Sequence, residues 1–242
     1  MTIPGSSCPV PLGGGDTIQL GHGGGGRLTW ELIDRVFHSA FGDPADDLHD
    51  GAVVDTPAGR LALSTDAYVV QPLFFPGGDI GSLAVNGTVN DVAMCGARPQ
   101  WLTVAFVLEE GLPIDVVRRV VASMAEAAAA AEVRIIAGDT KVVDRGNADG
   151  MYVTTAGVGV VAAGVDVSPQ RIRPGDALLL SGDIGRHGIA ILAEREGLEF
   201  DTTVTSDCAS VTHLISGLLQ AGIDLHCARD LTRGGLSSAL VE

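Results

Sequence analysis

Lysine is nearly missing from this sequence: among fifteen basic residues, Lys141 is the single lysine and the others are arginines. Aromatic residues are scarce too, at 4% of 242 residues, which argues against an aromatic-rich sandwich. With 46% apolar residues and 33 glycines, a core of Val, Leu, Ile and Ala in an α/β fold is the better fit. Cysteine occurs only as Cys8, Cys95, Cys208 and Cys227, with no C-x-x-C pair, so a zinc or dithiol site of that kind is not indicated. No apolar run approaches the ~20 residues of a membrane span. The opening MTIPGSSCPVPLGGG has neither the basic nor the apolar region of a secretory signal. The sequence therefore predicts a soluble, cytoplasmic protein with reduced thiols. Positive charge is outweighed, with a net charge of −15 at pH 7. Such a surface repels phosphate backbones and anionic membranes, so neither nucleic acid nor membrane is an expected partner. No G-x-G-x-x-G follows a strand and no G-x-x-x-x-G-K-[ST] occurs, which leaves out the Rossmann and P-loop ways of holding phosphate.

What is present is an alternation of strands and helices. Residues 1–26, ending in GHGGGG, read as a mobile glycine-rich arm. Thr29 is placed to cap a helix from Leu28 to about Phe41. Residues 52–55 and 61–65 read as a hairpin, and PLFFPGGDIG (72–81) as a loop entering a helix at 81–95. A strand at 101–108, a helix opened by Pro113, and strands at 133–138 and 151–161 follow. PQRIRPGD (169–176) marks the expected domain junction. Beyond it come a strand at 177–182, helices at 186–196 and 207–221, and a glycine turn entering a last helix. The expected organisation is an arm (1–26), a first domain (27–165) and a second, incomplete domain (166–242), with mixed α/β sheets throughout.

Acidic residues punctuate the strand ends and turns. Asp50, Asp66 and Asp139 stand at strand edges, and Asn90 and Asp91 lie on the second helix. Turn and cap chemistry accounts for any one of them alone. As a set they offer hard oxygen ligands of the kind magnesium takes together with substrate phosphates. Lys141 follows directly on Gly138, Asp139 and Thr140. In a chain that otherwise uses arginine, it marks a position that requires an ammonium.

GHGGGG, the run from Ser64 to Pro99, LEEGLP, AGDTKVVDRG and RDLTRGGL closely resemble the HypE family of hydrogenase maturation proteins. These are carbamoyl dehydratases in the superfamily of aminoimidazole ribonucleotide synthetase, selenophosphate synthetase and thiamine monophosphate kinase. The resemblance runs from about Ile18 to Glu242. It implies a two-domain aminoimidazole ribonucleotide synthetase-like fold whose first domain binds ATP and forms a homodimer. It further implies that ATP and Mg2+ are used to dehydrate a carbamoylated C-terminal cysteine to a thiocyanate. HypF would donate the carbamoyl group, and the HypC–HypD complex would receive the cyanide. On this basis Asp50, Asp66, Asp91 and Asp139 would hold metal, and Lys141 would act on phosphate or a proton. Asn90, Gly138, Thr140, Arg229, Arg233, Gly234 and Gly235 would contact nucleotide.

Two features depart from that pattern. His49 stands where many superfamily members carry the first of two aspartates, and the family's terminal Pro-Arg-Ile-Cys is not among these residues. Cys95, Cys208 and Cys227 are expected to be buried structural thiols, and Cys8 a free thiol without function. His22 fits either an incidental place in the arm or a lid over phosphate. The chain as it stands is expected to bind nucleotide weakly or not at all and not to complete dehydration. The alternatives are another kinase or synthetase of the superfamily, or a non-catalytic dimeric scaffold.

Overall fold

The long alternation from Ala97 to Glu109 becomes the central strand of the first unit. A computed structural model describes residues 16–23, 27–41, 59–198 and 204–241. In chain order the first unit contains α1 (Arg27–Leu32), π-helical turns at Ile33–His38 and α2 (Ser39–Phe41). It continues with β1 (Arg60–Tyr68), β2 (Phe74–Phe75), β3 (Gly78–Asp79) and α3 (Ile80–Met94). It closes with β4 (Ala97–Glu109), α4 (Ile114–Ala130), β5 (Arg134–Val143) and β6 (Met151–Val161). The main sheet has the order β1-β6-β4-β5. Its β4–β5 pair is parallel, joined through α4, and its other two pairs are antiparallel.

Alternation decides which face is covered. Leu102, Val104, Phe106 and Leu108 of β4 are buried with Val85 and Val89 of α3 and Val117, Val120 and Met124 of α4. Each such burial contributes about 1.5–3 kcal/mol before entropy is counted. The start of α3 is fixed locally. Asp79 accepts from the backbone N–H of Gly81 and Ser82, and the Ser82 hydroxyl accepts from the Asp79 N–H at 3.0 Å. That reciprocal cap satisfies orphan donors at the helix start. On β6, Gly157 and Gly159 let α3 approach closely. A Cβ on Gly157 would lie 2.9 Å from a Thr88 methyl, and one on Gly159 would overlap Val92.

The arm expectation holds poorly where it is described. Ile18 is buried, and its backbone exchanges hydrogen bonds with Leu112 and Gly111. His22 is buried as well. Its Nδ1 takes the Gln19 N–H at 2.9 Å, closing a turn. Residues 16–23 are thus pinned to the loop before α4. The expected strand at 61–65 extends over β1 and pairs with β6. Its expected hairpin partner at 52–55, together with His49 and Asp50, lies outside the described residues.

The second unit contributes α5 (Arg186–Glu196), α6 (Thr212–Gln220) and α7 (Gly235–Val241). The strand expected at 177–182 does not form: those residues lie in no strand, and Leu178, Leu179 and Leu180 are exposed. Strand propensity needs a ladder partner to become a strand, and no described segment pairs with it. The second unit is tied to the first at the β2–β3 hairpin. Ser206 N–H donates to the Pro76 carbonyl at 2.7 Å, and His187 packs edge-on against Phe75. Arg195 donates to the Gln71 carbonyl at 3.1 Å. Gly77, at φ +93°, has no room for a side chain against the Ser206 backbone.

Candidate active site

β1 presents Ser64, Asp66 and Tyr68 on one face, two residues apart, beneath α3. α3 answers with Thr88 and Asp91, three residues apart on its facing side. The Ser64 hydroxyl donates to Asp91 Oδ2 at 2.6 Å, and the Tyr68 hydroxyl donates to Asp66 Oδ2 at 3.0 Å. Asp66 and Asp230, the latter from the loop before α7, both lie close enough to Asp91 for their charges to act on it. Three carboxylates from two units therefore converge in sequence-distant pairs.

Their electrostatics reflect that crowding. Burial pushes Asp91 up to about 6, the Ser64 hydroxyl opposes it, and the charges of Asp230 and Asp66 push further in the same direction. Burial also raises Asp230, with the Asp66 charge adding to it, against its own backbone N–H, Asp91 and Arg229. Burial likewise lifts the Tyr68 phenol well above its ordinary range, so it stays protonated. Among the described residues no three His, Cys, Asp or Glu side chains are already closed around one ion-sized point. The carboxylates instead form a chain, Asp66 to Asp91 to Asp230, whose mutual repulsion a divalent cation would relieve. The donor set of hard oxygens fits magnesium.

The other anticipated residues lie elsewhere. Asp139 pairs in register with Ala105, and Ala105 with Thr154, whereas Asp66 pairs with Thr155. Alternation puts Asp139 and Lys141 on the opposite face of the sheet, on its far edge strand from β1. There Lys141 Nζ contacts Asp139 at 2.9 Å, with both side chains about two-thirds exposed. The Lys141 hydrogen bond, with the Thr140 N–H, holds the Asp139 carboxyl below its usual range. Gly138 is exposed on the same strand.

Asn90 is engaged by the protein itself. Its amide donates to the Ala209 carbonyl at 3.0 Å and accepts from the Val211 N–H at 2.9 Å. This ties the backbone of 209–211 to α3, and the helix expected at 207–221 begins only at Thr212. Arg229 and Arg233 are exposed, flanking Asp230. Gly234 and Gly235 both take positive φ where α7 begins. Cys95 corrects an expectation: it is exposed at the end of α3, because it caps the helix beyond its buried stripe. Cys208 and Cys227 are half-buried, and burial raises the Cys208 thiol. Asp230 is the residue the sequence reading passed over. Its signal in the sequence is its place between two arginines ahead of a glycine turn.

Residues 48–161 match the AIR synthase related protein N-terminal domain, and residues 173–242 match the corresponding C-terminal domain. The carbamoyl dehydratase HypE of Rhodobacter capsulatus is 50% identical over 231 residues, covering 94% of this chain and 68% of that protein. The Escherichia coli K12 carbamoyl dehydratase HypE is 46% identical, covering 94% of this chain and 69% of its own length. A crystal structure of the maturation protein HypE with ATP superposes with a TM-score of 0.88 at 50% identity, covering 91% of this chain and 66% of that one. HypE in a HypE–HypF complex superposes at 0.74 and 48% identity, covering 86% of this chain and 68% of that one. The chain thus spans about two thirds of the length of these relatives. By that similarity, across both matched domains, the chain belongs to the HypE family of hydrogenase maturation proteins.

Proposed function

We propose that this chain carries the nucleotide- and metal-handling part of an ATP-dependent carbamoyl dehydratase that makes the cyanide ligand of nickel-iron hydrogenase. The observation that carries this reading is the meeting of Asp66, Asp91 and Asp230 from two units of the fold, with Asp91 and Asp230 raised by burial. Two relatives bear on it: one HypE structure is a complex with ATP and another a complex with HypF.

The reaction asks for a site of this kind. A carboxamide oxygen is a poor leaving group. Transfer of the γ-phosphoryl group to that oxygen lets it depart as phosphate, while the nitrogen gives up both protons and the carbon–nitrogen bond becomes triple. Thiocarboxamide and ATP thus give thiocyanate, ADP, phosphate and a proton. Asp66, Asp91 and Asp230 would hold Mg2+, which supplies positive charge against phosphate oxygens. Ser64 orients Asp91. Arg229 and Arg233, with the turn at Gly234 and Gly235, stand on the same loop as Asp230 and offer cations to phosphate. Asn90 acts through structure, holding the second unit beside Asp91.

Asp139 and Lys141 belong to the opposite sheet face in one chain, and Gly138 and Thr140, which alternate with them, lie on the same far strand. Their use in the same site calls for a homodimer, in which one protomer's pair serves its partner's carboxylates. Leu61 and Leu63 are exposed on β1, an edge strand among the described residues, and support such an interface. HypF as carbamoyl donor, the HypC–HypD complex as acceptor and a cytoplasmic location complete the reading. The test is a peptide ending in S-carboxamide cysteine, incubated with the protein, ATP and Mg2+. Mass spectrometry is expected to show a product lighter by one water together with ADP, both lost in Asp91→Asn. Peptide dehydration that proceeds unchanged in Asp91→Asn would refute the assignment.

A further inference from the structure

Asp66 is served by a network of three hydroxyls, those of Tyr68, Thr88 and Thr155. The Thr155 hydroxyl lies 3.2 Å from the Ala84 carbonyl, which can only accept, so Thr155 donates there. The Thr88–Thr155 oxygen contact at 2.5 Å must then carry the Thr88 hydrogen. Thr88 has none left for Asp66 Oδ2, 3.4 Å away, or for the Tyr68 oxygen, 3.1 Å away. The Tyr68 hydroxyl then has two acceptors in reach, Thr88 Oγ1 and Asp66 Oδ2 at 3.0 Å; the carboxylate is the stronger of the two, so Tyr68 is the donor it receives from the network.

Space for that phenol is made by one residue. A Cβ on Gly87 would overlap the Tyr68 hydroxyl and lie 3.1 Å from Tyr68 Cζ. Gly87 sits inside α3, where glycine costs about 1 kcal/mol relative to alanine. A phenylalanine at position 68 would fill the same half-buried place with less demand on α3. Both the hydroxyl and the gap are thus maintained against simpler alternatives.

We infer that Tyr68 is a positioning residue for Asp66, fixing one carboxylate oxygen so that the other is presented to the cation, and that Gly87 is kept bare to seat it. This rests on the cation reading of the Asp66–Asp91–Asp230 chain. A donor that orients a ligand carboxylate typically changes metal affinity by about 10–100-fold.

The test uses Mn2+ alone, its free concentration followed by electron paramagnetic resonance, with thermal melting of each variant alongside. Tyr68→Phe is expected to weaken Mn2+ binding roughly ten-fold while melting within a few degrees of the parent. Gly87→Ala is expected to lose both affinity and melting temperature. Adding Tyr68→Phe to Gly87→Ala removes the clashing oxygen. The double variant is therefore expected to regain melting temperature while its affinity stays at the Tyr68→Phe level. Parental Mn2+ affinity in Tyr68→Phe overturns the inference, as does a fall in its melting temperature equal to that of Gly87→Ala. Asp91→Asn separates the two readings. If it binds Mn2+ like the parent, or the parent binds none, the cation site itself falls. If Asp91→Asn loses binding and Tyr68→Phe keeps it, only the role of Tyr68 falls.

Discussion

At the scale of single residues, Asp91 is the most informative. Its folded-state pKa of about 6 lies above the ordinary carboxylate value of 3.8. The folded state therefore binds that proton more tightly than the unfolded chain does. This contribution to stability is complete below the unfolded value and is lost as pH rises through about 6. A cation held by Asp91, as proposed, would bind the ionised form and offset that loss. The rise in melting temperature on adding Mg2+ is expected to be larger at about pH 7.5 than at about pH 5, following the fraction of Asp91 ionised. An equal rise at both would separate the cation from Asp91. Asp66 and Asp91 are legible in the sequence through the motifs of the family resemblance; Asp66, expected at a strand edge, lies within β1. Asp230 does not stand out, because an aspartate between two arginines is first read as a turn residue, and its burial against Asp91 is a tertiary event. Lys141 stood out by composition, yet its contact here is an exposed pair with Asp139, and composition carries no information about which sheet face it occupies.

At the scale of elements, α3 connects fold and site, because it carries Thr88 and Asp91 and rests on bare backbone at Gly157 and Gly159. Gly159→Ala would drive a methyl group into Val92. Overpacking of this kind costs about 1–3 kcal/mol, so a denaturant titration is expected to show an earlier midpoint. An unshifted midpoint would mean that α3 can lift off β6 freely. The β4, α4 and β6 patterns were readable because their periods of two and 3.6 repeat over many residues. The segment ALLLSG at 177–182 reads as a strand because it is a short apolar run bounded by turn residues, but pairing is decided by residues far away in sequence. The helix expected from 207 also starts later, and the Asn90 amide, from another unit, claims the backbone at Ala209 and Val211.

At the scale of the whole molecule, the candidate site exists only where two units meet. The first unit brings Asp66 and Asp91, the second brings Asp230, and the β2–β3 hairpin and Asn90 hold them in register. A site divided in this way is built for a ligand with charge to distribute, which is what magnesium and a triphosphate provide. On the proposed reading, carboxylates carried by separate elements would take the place of one phosphate-binding loop. The most direct test is isothermal titration of the protein with ATP, with and without Mg2+, in the parent and in Asp230→Asn. Binding is expected only with Mg2+ and roughly ten-fold weaker or worse in Asp230→Asn. Undiminished ATP affinity in Asp230→Asn, or in the presence of a chelator, would contradict a carboxylate-held metal nucleotide.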